Sequence, residues 1–124
     1  MKYLILIHHN RGAREQFAAL PAETQAAGMQ AYLDLNAELE ATGELVGAEA
    51  LADDSAATVV SLRSGAVVTS DGPFAESKEM LAGFYLVDVG SLERAVEIAA
   101  SIPEVAAGAG DVEIRPVLDL AALA

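Results

Sequence analysis

Short apolar stretches alternate along this chain with two longer ones whose apolar residues recur at helical spacing. Lys2 to His8 is continuously apolar and rich in β-formers, which predicts a strand. A polar loop follows. Ala22 to Thr42 then predicts a helix, with Gly28, Ala31, Tyr32, Leu35 and Leu39 on one face, widened by Met29 and Leu33, and Gly43 as its stop. Glu44 to Leu51 reads as a second strand and Asp53-Asp54-Ser55 as a loop. Thr58 to Leu62 and Ala66 to Ser70 flank a turn at Arg63-Ser64-Gly65 and predict a hairpin. Gly83 to Val89 is another continuously apolar strand. Ser91 is placed to cap a second helix, with Leu92, Ala95, Val96, Ala99 and Ile102 as its buried stripe and Pro103 as its end. Ala106 to Gly110 is a small-residue loop. Val112 to Leu118 is the last strand, and Pro116 marks it as fraying or lying at an edge.

The order is β-α-β-β-α-β with an extra hairpin. It predicts one α+β domain, a ferredoxin-like sandwich with both helices on one face of an antiparallel sheet. The strands at Tyr3–Ile7 and Phe84–Val87 are apolar at successive positions, so both their faces call for burial. Two helices cover only one face. The other is expected to meet a second copy, giving a homodimer packed sheet to sheet.

Composition narrows the function. The 124 residues suit a single domain, and 53% are apolar, so the chain can bury a core. There is no cysteine, which excludes disulfides, thiolate catalysis and Cys-based metal sites. Seven basic against nineteen acidic residues give a net charge of −12. A surface this negative repels phosphate backbones and anionic membranes, so neither nucleic acid nor membrane is an expected partner. The first apolar run is too short for a signal peptide, no run approaches the roughly 18 residues of a membrane helix, and the cytoplasm is the default compartment. Ala106-Ala107-Gly108-Ala109-Gly110 is not followed by a helix, and Gly43-Glu44-Leu45-Val46-Gly47 lacks a P-loop's Lys. No Gly-x-Ser-x-Gly occurs. The sequence calls for no cofactor and no metal.

Ionisable groups crowd into Asp71-Gly72-Pro73-Phe74-Ala75-Glu76-Ser77-Lys78-Glu79, a turn between two strands. Asp71 is the first candidate for a general base or substrate contact, and it can equally cap its own turn. Glu76, Lys78 and Glu79 form either an anion site or a solvated cluster. Phe74 is expected to anchor the loop to the core, or else to wall a pocket. His8 and His9 end the first strand and point to opposite faces, so they cannot chelate one metal side by side. One of them with Asp71 or Glu49 would make an acid/base pair, and ordinary strand-end histidines are the other reading.

The segments MKYLILIHH, ATGELVGAEAL, DGPFAESKE and VEIRPVLDL, in this order, resemble the DGPF-type branch of the YCII-related family from about Met1 to Leu120. The resemblance implies a dimeric α+β barrel, with a pocket between sheet, helices and partner and the DGPF loop at its mouth. Better-studied YCII-type members resemble one another in a His on the first long helix and an Asp before a Pro after the second, proposed to act as a dyad. The corresponding positions here are Tyr32 and Ile102, so this chain departs from the pattern, although Tyr32 can still donate a proton or hydrogen bond. The resemblance supports two functional readings. One is an acid/base enzyme acting on a small molecule, with Asp71, His8 and His9 as reacting groups and Tyr32, Phe74, Glu49, Glu76 and Lys78 around the ligand. The other is a non-catalytic accessory or regulatory module linked to extracytoplasmic-function sigma factors.

Overall fold

The alternation along β1 (Lys2–Asn10) decides the architecture. Tyr3, Ile5 and Ile7 are buried, whereas Leu4, Leu6 and His8 between them are only half-buried. The computed structural model describes residues 1–74 and 78–123. After β1 come α1 (Ala13–Ala18), α2 (Ala22–Thr42), β2 (Leu45–Ala50), β3 (Thr58–Arg63), β4 (Ala66–Asp71), β5 (Glu79–Asp88), α3 (Leu92–Ala100), α4 (Pro103–Ala106) and β6 (Val112–Pro116). Short 3-10 turns lie at Asp54–Ala56 and Leu120–Leu123. Four strands form one sheet in the order β2-β5-β1-β6, every pair antiparallel. That is the ferredoxin-like order, with β3–β4 inserted as a separate two-stranded hairpin. Pro116 sits on an edge strand, where its missing N–H costs no ladder bond.

The core lies on the helix side of the sheet. Ile5, Val87, Tyr85, Leu35, Leu39, Ala95, Ile98 and Ile102 pack together there. Ser91 caps α3, its Oγ accepting the Arg94 N–H at 3.2 Å. Gly43 ends α2 with φ of 77°, a left-handed backbone that glycine adopts without Cβ strain. Gly83 answers to space, because a Cβ there would stand 2.7 Å from the Glu49 carbonyl oxygen of β2. The turn between β3 and β4 has positive φ at Ser64 and Gly65, as a two-residue hairpin loop requires.

Three expectations need correcting. Only Leu35 and Leu39 of α2 are buried, and Met29 and Leu33 are each 57% exposed, because they lie round the helix from the face that Tyr32, Leu35 and Leu39 turn to the core. Nearer its start α2 meets α1, whose Phe17 ring packs where a Cβ on Gly28 would stand, at 3.3 Å. On α3 the buried residues are Ala95, Ile98 and Ala99, while Leu92 and Val96 are half-exposed. Pro103 does not end a helix but opens α4 from its first position, where a missing N–H is harmless.

Arg94 ties α3 to the entry of β2 through two hydrogen bonds to Glu44, both at 2.8 Å. Those bonds, with a third from Thr42, hold the Glu44 carboxyl down at about 2 against an ordinary value of 4.5. A depressed carboxylate stabilises the fold above its unfolded value and loses that contribution as pH falls through the folded value. Acid unfolding between pH 4.5 and about 2 should therefore be flatter in Glu44→Gln than in the wild type, as followed by circular dichroism.

Candidate functional site

The sheet separates the candidate residues into two groups. His8 and His9 are neighbours on β1 and lie on opposite faces. A bulge between β1 and β5 sets what stands beside each: Ile7 pairs with Gly83 but His8 with Leu81, so Leu81 joins His8 and Met80 joins His9. His8 Nε2 lies 3.6 Å from Glu113 of β6 on the face without helices. His9 Nε2 lies 3.9 Å from Glu104 of α4 on the helix face. The carboxylates beside the two histidines are thus Glu113 and Glu104, rather than Asp71 or Glu49.

The helix-face group is the more organised. The Tyr32 hydroxyl of α2 donates to Glu104 Oε2, joining residues 72 apart in sequence. Tyr85 of β5 stacks parallel to Tyr32, ring centroids 6.5 Å apart and planes 8° apart, and its hydroxyl donates to Asn36. An offset aromatic pair of this kind contributes about 0.5–1.5 kcal/mol beyond its burial. Glu104 is the second residue of α4, and its carbonyl accepts the N–H groups of Ala109 at 2.8 Å and Gly110 at 3.1 Å, which fixes the backbone beneath it. Its side chain is 19% exposed and that of His9 24%, so the cluster keeps an edge toward solvent.

The electrostatics fix the proton states. Burial, the hydrogen bond to Glu104 and that carboxylate's charge all push the Tyr32 phenol far above its ordinary value, so at neutral pH it is a donor and not a base. Burial, and secondarily Glu104, push Tyr85 up to about 12. His9 Nδ1 is buried with no hydrogen-bond partner among the described residues. A bare lone pair there costs less than an unsatisfied N–H, which favours the tautomer carrying its hydrogen on Nε2, toward Glu104.

The other group surrounds a cleft of about 830 Å³, lined by His8, Leu51 to Asp54, Ala56, Ala57, Pro73 and Lys78 to Leu81. Asp71 is not among its lining. It is exposed at the end of β4, paired with Thr58, and among the described residues its carboxylate has no hydrogen-bond or ion-pair partner. Glu49 is exposed on β2, in register with Phe84. Phe74 is 90% exposed, which corrects the expectation that it anchors the loop to the core. Glu76 lies outside the described residues. Among the described residues no three His, Asp or Glu side chains gather into a metal-holding group, and no helix is long and apolar enough to cross a membrane.

Glu104 went unnoticed in the sequence. Its signal is faint: Pro103-Glu104 is a helix-opening pair, and Ile102, at the position where a YCII-type Asp would stand, is fully buried. The carboxylate that meets Tyr32 comes from two residues further on.

In architecture the chain is similar to 5-chloro-2-hydroxyhydroquinone dehydrochlorinase (TftG) from Burkholderia phenoliruptrix AC1100, solved in complex with 2,5-dihydroxybenzoquinone. The TM-score is 0.50 over 95% of this chain and 94% of that one, at 14% identity, which is a likeness of fold. An uncharacterized protein of Rhizobium meliloti (strain 1021) is 38% identical over 74 residues, and the match spans 60% of this chain and 60% of that relative's length. The YCII-related domain matches residues 1–121, and the chain belongs to the YCII-related family.

Proposed function

We propose that this chain, a DGPF-type member of its family, is an enzyme of acid/base chemistry on a small molecule, centred on Tyr32, Glu104 and His9. The observation that carries the reading is the Tyr32 hydroxyl donating to Glu104 in a half-buried cluster with a histidine beside it. Tyr32 supplies a donor that stays protonated, Glu104 the carboxylate that takes a proton, and His9 a second acid/base group next to it. The likeness in fold to a dehydrochlorinase fits chemistry on a small molecule and goes no further than analogy.

The working form in this proposal is a homodimer. Leu4, Leu6, Phe84 and Leu86 form an apolar, half-buried band on the sheet face without helices. Val60, Leu62 and Val67 share one face of the hairpin and are 64%, 69% and 72% exposed. A two-stranded hairpin with so much bare apolar surface is marginal alone, and a second copy would cover both surfaces at once. In that dimer each hairpin would carry Asp71 against the partner, which is how this carboxylate would join a pocket.

The test is proton exchange. Metabolites bearing acidic C–H bonds, incubated in D2O with the wild type, should include at least one whose C–H signal fades in proton NMR. Glu104→Gln should slow that loss by about a hundredfold, within the range general acid–base groups contribute. Exchange at the same rate in Glu104→Gln, or none with any metabolite, would overturn the reading.

A further inference from the structure

The cleft on the other side of β1 is lined by none of Tyr32, Asn36, Tyr85, His9 or Glu104, so the proton-transfer cluster leaves it unexplained. Its charged groups are unevenly engaged. Asp54 takes two hydrogen bonds from Arg11, at 2.8 and 2.6 Å, which hold its carboxyl below the ordinary range. Asp53 accepts the Ser55 N–H at 3.0 Å and is held low by that bond. Glu79 is engaged as well. Arg14 is spent on the Leu51 carbonyl. His8 stands 3.6 Å from Glu113. Among the described residues no hydrogen bond or ion pair engages the Lys78 ammonium, whereas each carboxylate lining the cleft has a contact. Lys78 lines the cleft beside the apolar Leu51, Ala56, Ala57, Pro73 and Leu81, with the engaged Asp53, Asp54 and Glu79 completing the charged part of the wall.

We infer that the cleft is a second ligand site and that it takes a carboxylic acid with an apolar body, its carboxylate on Lys78 and its body against Leu51, Pro73 and Leu81. The volume suits a ligand of metabolite size. An amine would meet carboxylates already satisfied and an ammonium of its own sign. A neutral apolar molecule would leave Lys78 uncompensated. The chain's net charge of −12 repels anions at long range, so the attraction must be local, and it should weaken only modestly as salt screens both effects.

The probes are phenylacetate and hexanoate, their amides, and phenethylamine, each titrated into the full chain and followed by amide chemical shifts. The two acids should bind at least tenfold more tightly than their amides, as a charge-assisted hydrogen bond implies. They should shift the amides of Leu51 to Ala57 and of Lys78 to Leu81, and leave α2 and α4 unmoved. Lys78→Gln should lose at least tenfold in affinity for the acids, and Lys78→Arg should keep most of it. Equal binding of acid and amide, preference for the amine, undiminished binding by Lys78→Gln, shifts centred on Tyr32 and Glu104, or no binding of any probe would each overturn the inference. Failure of proton exchange at Glu104 would leave this result untouched, since none of Tyr32, His9 and Glu104 lines the cleft.

Discussion

Leu6→Asp is expected to give a folded monomer, whereas Ile5→Asp, one position away, is expected to give no folded protein. The difference follows from the two-residue period of a strand. Ile5 is fully buried, in register with Tyr85 on β5 and Ile114 on β6, beneath α2 and α3. A carboxylate there has no partner and no water. Its burial costs several kcal/mol at least, against a total stability of about 5–15 kcal/mol for a domain of this size. Leu6 points to the other face and is half-buried, with Phe84 beside it on β5. In a single protomer an aspartate at that position stays wet, and its like charge opposite Glu113 of β6 costs at most about 1 kcal/mol. At the centre of a sheet-to-sheet interface it sets two like charges against each other. Sedimentation velocity with circular dichroism separates the outcomes. The wild type should sediment as a dimer, Leu6→Asp as a compact monomer with native ellipticity, and Ile5→Asp as an unfolded or aggregated chain. A wild type that sediments as a compact monomer would end the dimer proposal, and a Leu6→Asp dimer would move the interface elsewhere.

The same period explains what the sequence disclosed. Strands with apolar residues at successive positions read as unbroken apolar runs, so β1 and β5 stood out, and their chain order with two helices implied the sheet. Two ends of the fold were harder. α1 spends its one large apolar side chain, Phe17, on Gly28 of α2 and not on the sheet, so its six residues carry no core-facing stripe. Met29 and Leu33 are apolar but lie round α2 from the core-facing Leu35 and Leu39, so residue type alone does not distinguish them from core. The candidate site was legible by halves. Tyr32 and the two histidines could be picked out by residue type, and their opposite faces by alternation. Glu104 could not, because its meeting with Tyr32 depends on where α4 settles after the Ile102 side chain enters the core. The DGPF motif drew attention to Asp71, yet the described residues near it that line a cleft are Pro73 and Lys78. A motif marks a loop; which of its side chains face a cavity is set by how the loop leaves the strand.

Raising the pH past 10 should destabilise the wild type more steeply than Tyr32→Phe. Burial and Glu104 raise the Tyr32 phenol far above its ordinary value of 10.0, and Tyr85 is pushed up to about 12. For a group whose folded value is raised, the contribution to stability is whole below the unfolded value and is lost as pH climbs toward the folded one. Above pH 10 the unfolded chain releases its phenolic protons while the native protein still holds them, so ΔG of unfolding falls as pH rises. Removing the Tyr32 hydroxyl removes its share of that slope and leaves Tyr85's. Tyr32→Phe also loses the hydrogen bond to Glu104 at all pH values, a cost of about 1.5–3 kcal/mol for a bond to a charged group. The two stability curves should therefore converge as the solution becomes more alkaline. Guanidinium titrations in steps from pH 8 to pH 11 would measure this. The absorbance of phenolate near 295 nm gives a second reading: native Tyr32 should not ionise before the chain unfolds, and in Glu104→Gln it should ionise earlier. Parallel curves for wild type and Tyr32→Phe would mean that the phenol does not share its proton with Glu104 in solution. The proton-transfer reading would then lose the contact on which it stands.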